Sequence, residues 1–401
     1  MDRRNFIKIS GGLALTGLPL QRVLAADSGT FPMGCATPMS GVFAEIGKYS
    51  LIGARAAALD VPEVLGKKTR IVSIDSEGNP GVAVRKVREA AQREGLRYVS
   101  GALLSSEAIA VGKEMNREGG VAFIGAGADE VTGADCNIST FRWSSTTYGA
   151  IEQTVRPLAK MMPQAKRWYT ITPQYVFGDA LLNNAKRIFK EMDIEHVGNS
   201  YHSLTEQEFS GYLTNAMAAK PDVLLILNYG AQSSATLRQA ISFGMKNRMT
   251  ILMAYSDGVT QFHALGKDIV EDVYFGCQYW HGVDAPVNKH FVELCRKNFN
   301  VTPPYNSALT YISTRLTLEA INRIGSDDAA KVIKALEGWK YDGLTGPEEI
   351  RAFDHQGIKK YYLMKGKKAS EVTDPNEMAV IVSEGESTIP IAQSVCKMVR
   401  T

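Results

Sequence analysis

Strand-like and helix-like periods alternate in two separate series along this 401-residue chain, which constrains the fold more than any single motif. In the first series, strands over Phe31–Ala36, Thr69–Asp75, Arg97–Gly101 and Val121–Ile124 are interleaved with helices over Glu45–Val61, Gly81–Glu94 and Glu107–Arg117. The series stops at Phe141-Arg142-Trp143 and restarts with a helix over Tyr148–Met162. Strands over Arg167–Thr172, Glu195–Ser200, Val223–Leu227 and Thr250–Ala254 then alternate with helices over Asp179–Met192, Gln207–Ala219 and Gln232–Gly244. Repeated strand–helix units build a parallel sheet with helices on its faces, so the class is α/β. A chain of this length exceeds one comfortable core, and two series predict two lobes.

The third part breaks the rhythm. Val273–Tyr279 is extended, and helices are predicted over Val287–Asn298, Tyr305–Ile324 and Ala329–Leu336. Arg351–Phe353 and Lys360–Met364 read as a hairpin about the turn Asp354-His355-Gln356-Gly357. Residues after about Lys367 are polar and loosely patterned, which predicts a tail over the surface.

Two neighbouring strand ends in the first series carry the candidate site. One runs into Ser105 and Ser106, placed where a helix cap is wanted, and the other into Gly125, Ala126, Gly127 and Ala128. In an open parallel sheet, ligands bind beyond the carboxyl ends of the strands, where helix N-termini aim free N–H groups at anions. Ser, Gly and Ala side chains at such ends allow close backbone approach to a small carboxylate. Ordinary strand–helix loops also favour Ser and Gly, so this stretch alone leaves both readings open.

The first residues read as an address rather than as fold. Arg3-Arg4-Asn5-Phe6-Ile7-Lys8 is a twin-arginine pattern, followed by a mild apolar segment and the small-residue site Val23-Leu24-Ala25-Ala26. The expectation is a periplasmic protein, exported by the twin-arginine route and shorn of residues 1–26. That removal takes away Arg3, Arg4, Lys8 and Arg22 against Asp2, which turns the formal charge of +3 into zero. A neutral mature chain points to neither nucleic acid nor anionic membrane as a partner. Five cysteines (Cys35, Cys136, Cys277, Cys295, Cys396) would enter an oxidising compartment, and an odd number leaves at least one unpaired within the chain.

Enzyme chemistry finds little purchase. Gly125-Ala126-Gly127-Ala128-Asp129-Glu130 is similar to a dinucleotide loop but lacks the third glycine. The sequence contains no GxSxG, P-loop, HExxH or CxxC pattern. The six histidines (His196, His202, His263, His281, His290, His355) read as solvated surface, none with a second ligand at helical spacing. No catalytic residue, metal or cofactor is assigned.

From Pro38 onwards the chain resembles the leucine/isoleucine/valine-binding family of periplasmic solute-binding proteins, which have the type I fold. The resemblance rests on many weak landmarks in order. They are Pro38-Met39-Ser40-Gly41, Asp75-Ser76-Glu77-Gly78-Asn79-Pro80, Gly101 to Ser106, Gly125 to Thr132, Phe141-Arg142, Phe177-Gly178, Glu208-Phe209-Ser210, Pro221-Asp222 and Phe353 to Gly357. It implies two Rossmann-like parallel-sheet lobes joined by three crossing strands. The lobes would be residues 27–145 plus 278–345 and residues 146–277 plus 346–401, with crossings near 143–147, 276–282 and 340–350.

The resemblance also implies a monomer that captures a small carboxylate-bearing ligand, foremost a branched-chain or related amino acid, and hands it to the membrane permease of an ABC importer. By position it assigns the ligand carboxylate to Ser105 and Ser106 with the backbone N–H groups beside them, and it brings the next loop, Gly125, Ala126 and Gly127, to the ligand's ammonium end. It sets Asp257, in place of the more usual Glu, against the ammonium group, and Phe177 in the place of the aromatic that covers the ligand, with Tyr175 and Tyr229 nearby. The family's second hydroxyl falls on Gly127, which removes a partner and frees space, as an aromatic carboxylate or amide-type ligand would need. A rival of another class is the ligand sensor of a signalling system; neighbouring permease and ATPase genes would decide against it.

Overall fold

The computed structural model describes residues 29–399, so the export segment expected over residues 1–26 lies outside the described residues. The first lobe opens with β1 (Thr30–Thr37), α1 (Ala44–Asp60), β2 (Glu63–Val64), β3 (Lys67–Asp75) and α2 (Pro80–Glu94). It continues with β4 (Tyr98–Gly101), α3 (Ser105–Arg117), β5 (Val121–Ile124) and β6 (Thr140–Arg142). The strands lie in the order β2-β3-β1-β4-β5-β6, parallel except for the short β2. Local sequence explains the helix starts: Asn79 accepts from the N–H groups of Gly81 and Val82, and Pro80, with no N–H to lose, opens α2.

The second lobe begins with α4 (Thr147–Glu152) and α5 (Val155–Met161), so the predicted helix over Tyr148–Met162 is broken at Gln153-Thr154. Then follow β7 (Arg167–Pro173), α6 (Val176–Glu191), β8 (Glu195–His202), α7 (Ser210–Ala219), β9 (Val223–Ile226) and α8 (Ala231–Ser242). The series closes with β10 (Thr250–Ser256), α9 (Val259–Leu265), α10 (Lys267–Val270) and β11 (Tyr274–Cys277). These five strands are parallel, in the order β11-β10-β9-β7-β8.

The chain then returns to the first lobe as α11 (Pro286–Phe299), α12 (Tyr305–Ile324) and α13 (Ala329–Leu336). Helix α12 is buried along most of its length because it lies against α1. Gly53 permits that approach, since a Cβ there would stand 2.0 Å from the Ser307 carbonyl oxygen.

The residues from Lys340 onwards depart from expectation. β12 (Lys340–Gly343), β13 (Gly346–Ile350) and β14 (Gly357–Ile358) form a small antiparallel sheet, and Leu344 and Ile350 belong to the first lobe's core. The third crossing therefore falls after Ile358, rather than over 340–350. β15 (Lys360–Gly366) does not pair with Arg351–Phe353; it adds antiparallel to β11 and carries β16 (Ala379–Glu386) at the edge of the second sheet. The predicted loose tail is thus partly a strand. Alternation identifies a strand but not its partner.

Three segments join the lobes, and their side chains tie them together. The Ser145 N–H donates to Gln278 Oε1 at 2.6 Å, and Gln356 Nε2 donates to the Ser144 carbonyl at 2.8 Å. Lys359 Nζ donates to the Gln278 carbonyl at 2.5 Å and lies 4.3 Å from the centre of the Trp143 ring. The tail beyond β16 runs back along this region, with Ser387 Oγ bonded to Ser145 Oγ at 2.7 Å. It ends on the first lobe, where Cys396 forms a disulfide with Cys136. Cys35, Cys277 and Cys295 are buried free thiols.

Three histidines expected on the surface are instead interior: His202, His281 and His355. Each is held by neighbours, as where the His355 ring stacks on Phe141 with centroids 3.9 Å apart.

Candidate functional site

The cleft between the sheets receives the carboxyl ends of β4 and β5 from one lobe and of β7, β9 and β10 from the other. Helix α3 starts at Ser105, with Leu104 as its cap residue and no side chain capping it. The first N–H bonded back along this helix is that of Ala108, to the Leu104 carbonyl. The N–H groups of Ser105, Ser106 and Glu107 are therefore first-turn donors for an anion. Ser105 is buried and its Oγ accepts from the Ala128 N–H at 3.1 Å, which leaves its own proton for a ligand. The Ser106 side chain is exposed, so only its backbone serves the site. The expected cap pair is in fact one serine facing in and one facing out.

Behind this wall lies Arg142, fully buried at the end of β6. Its guanidinium donates to the carbonyls of Ala128 at 2.5 Å and Ala126 at 3.3 Å, to Gln356 Oε1 at 2.6 Å and to Thr132 Oγ1. It thus fixes the Gly125–Thr132 loop and adds a positive charge beneath the cleft. Ala126 faces this interior and does not line the cavity, whereas Gly125 and Gly127 do. Glu107, in the first turn of α3, is also fully buried. Burial pushes its carboxyl up to about 8, and Ser76 beside it offsets only part of that shift. Neither Glu107 oxygen reaches hydrogen-bonding geometry.

A small cavity of about 20 Å³ lies in the cleft, walled by Leu103, Leu104, Ser105, Gly125 and Gly127 from the first lobe's strand ends. Tyr175, Phe177, Tyr229 and Tyr255 close it from the second lobe, and Tyr305 and Asn306 enter from the start of α12. Phe177 and Tyr255 meet edge to face at 5.1 Å, as do Tyr229 and Tyr255 at 5.7 Å. The space that Gly127 was expected to free is already filled. A Cβ there would stand 2.8 Å from both Phe177 Cε2 and the Tyr255 hydroxyl. Tyr255 thereby brings a hydroxyl to the position where Gly127 has none.

Asp257, just after β10, is 8% exposed. Its Oδ1 accepts from the Tyr229 hydroxyl at 2.8 Å and from Asn306 Nδ2. Burial pushes this carboxyl up to about 7, and the two donors offset part of the shift. Asp257 does not line the inner cavity. It faces a groove at the mouth of the cleft, with Glu45 and Ile46 from the first lobe and Gly230, Ser234 and Gln261 from the second. The structure thus gathers Ser105, Gly125, Gly127, Tyr175, Phe177 and Tyr229 in one cavity. It sets Asp257 behind Tyr229, turns Ala126 away and leaves the Ser106 side chain outside.

Leu103, Tyr255, Tyr305 and Asn306 were not read as site residues from the sequence. Pro303-Pro304 marks where α12 starts, but nothing in that pattern says that its first turn enters a cleft. Among the described residues, no group of three His, Cys, Asp or Glu side chains is placed to hold a metal ion. The arrangement presents hydroxyl and N–H donors at one wall, acceptors at another and rings between them.

Comparison with known proteins bears on the family and the fold. The sequence profile described as periplasmic binding protein matches residues 30–371. The chain is 26% identical over 342 residues to Leu/Ile/Val-binding protein homolog 7 of Brucella abortus (strain 2308), covering 81% of this chain and 85% of that one. It is 51% identical to the crystal structure of an amino acid ABC transporter substrate-binding protein from Pseudomonas fluorescens Pf-5, with a TM-score of 0.88 over 92% of this chain and 98% of the other. A solute-binding protein from Rhodopseudomonas palustris BisB5, in complex with 3,4-dihydroxybenzoic acid, shares the fold at 20% identity and a TM-score of 0.81, covering 91% of this chain and 100% of that one.

Proposed function

The chain belongs to the periplasmic binding protein family, and from that premise we propose that it captures a branched-chain or related amino acid for an ABC importer. The carrying observation is the cavity that has Ser105 and the first turn of α3 on one wall and the Tyr229–Asp257–Asn306 cluster on another. A carboxylate suits the first wall and an ammonium group the second. The rings of Tyr175, Phe177 and Tyr255 cover the apolar part. The names of the Brucella and Pseudomonas relatives support the same class.

The lobes open and close about the three crossing segments, and a membrane permease reads the closed form. The protein works as a monomer in the periplasm, reached by the twin-arginine route, and catalyses no reaction. The aromatic lining favours one other ligand class, a benzoate-like acid, which needs the Ser105 wall but not Asp257.

A thermal-shift screen of the mature protein separates the two. One panel holds leucine, isoleucine, valine and small amides; the other holds benzoate-like and phenylpropanoid acids. A ligand at 100 times its Kd adds about 2.7 kcal/mol, a shift of several degrees. Leucine-like amino acids are expected to shift the melt, and Ser105→Ala to abolish that shift while lowering the melt of the free protein modestly, because the buried Ala128 N–H loses its acceptor. A response to aromatic acids alone would overturn the amino-acid reading.

A further inference from the structure

Within that reading, the wall that meets the amino group contains two polar side chains of different charge, and only one of them faces the ligand cavity. Asn306, the second residue of α12, is fully buried and lines the cavity with Ser105 and Gly127. Asp257 lies on its far side, facing the groove at the cleft mouth.

The hydrogen bonds settle which end of the amide is spoken for. Asn306 Nδ2 donates to Asp257 Oδ1 and to the Tyr229 hydroxyl oxygen at 3.1 Å. Asp257 Oδ1 and the Tyr229 oxygen are themselves only 2.8 Å apart, so they share one of the amide's two protons, and the N–H side of the amide is the side turned to the carboxylate. The Tyr229 hydroxyl has one proton, with Asp257 Oδ1 at 2.8 Å and Asn306 Oδ1 at 3.3 Å to choose from. The shorter bond, to a carboxylate, takes it. Asn306 Oδ1 is then left as an acceptor with no protein donor of its own among the described residues. Turning the amide over would set its carbonyl oxygen against the Asp257 carboxylate, so the charge behind it fixes its orientation.

We infer that Asn306 Oδ1 is the atom that reads the ligand's amino group, and that Asp257 is the positioning residue that holds it in that orientation. An ammonium group has donors only, and this acceptor, backed by a negative charge, satisfies it without bringing the carboxylate itself into the cavity. The inference rests on the amino-acid reading given above.

The test is calorimetric titration at pH 8 with L-leucine and with 4-methylpentanoate, which is leucine without its amino group. Asn306→Leu is expected to lower leucine affinity at least tenfold and to leave 4-methylpentanoate unchanged, so that discrimination between the two collapses. Asp257→Asn keeps a carbonyl for Asn306 Nδ2 and is expected to lose less leucine affinity than Asn306→Leu. If Asn306→Leu does not fold, Asn306→Ala takes its place. A larger loss in Asp257→Asn than in the Asn306 variant, or unchanged discrimination in the latter, would overturn the assignment while leaving the amino-acid reading intact. Wild-type protein that binds no amino acid would overturn both.

Discussion

Gly127 and Phe177 meet across the cleft from opposite lobes, so closely that a Cβ on the glycine would stand 2.8 Å from the ring. A methyl group there also meets the Tyr255 hydroxyl at 2.8 Å. Both obstacles are on the second lobe, so the lobes can yield by parting rather than by unfolding. Gly127→Ala is therefore expected to weaken leucine binding by about 1–3 kcal/mol, the usual cost of overpacking. The melt of the free protein should change by only a degree or two, and calorimetry with a parallel thermal scan checks both. Equal affinity in mutant and wild type would show that closure tolerates the methyl group.

Asp257 predicts a pH dependence of binding. Its carboxyl is pushed up to about 7 by burial, and an ammonium ligand favours the ionised form. Leucine affinity should fall as pH drops below about 7, towards that of Asp257→Asn, and level off above it. For the free protein the sign is reversed. The folded carboxyl holds its proton more tightly than the unfolded one, so a destabilisation accrues from about pH 4 to about pH 7 and is constant beyond. Titrations between pH 5 and 8 should show the slope in wild type and a flat line in Asp257→Asn.

Glu107 gives a second, separable profile. Its buried carboxyl is pushed up to about 8, so ionisation destabilises the fold increasingly between about pH 4.5 and pH 8. Glu107→Gln removes that charge and keeps the shape. Its melting temperature should exceed wild type at pH 9 and match it at pH 5. A mutant less stable at both values would mean that the carboxylate is held by partners.

The disulfide between Cys136 and Cys396 ties the tail to the first lobe. Replacing both with serine, or adding reductant, is expected to cost roughly 2–4 kcal/mol. Thermal scans with and without reductant should show a lower melt for wild type and no difference for the double mutant.

The sheets were legible because alternation at two periods is a local property, carried by runs such as Val223–Leu227. The third crossing was misplaced because β15 reads as a strand whether it pairs with Arg351–Phe353 or, as found, with β11. Ser105 was found through its strand end, while the outward turn of Ser106 depended on a helix start differing by two residues. Asn306 was missed because its partner Asp257 lies 49 positions away, and a helix pattern does not say which end enters a cleft. Arg142 was noticed only as a landmark, since its role depends on carbonyls that the sequence does not display.

Cys136 and Cys396 are 260 positions apart, and the whole second lobe lies between them. Most of the chain is therefore a covalent ring. A single protease nick in any loop of that ring leaves both fragments bound in one molecule. The nicked protein runs as one full-length species on an unreduced gel and separates into two only when the sulfurs are parted. In a compartment shared with proteases, one cut does not release a half.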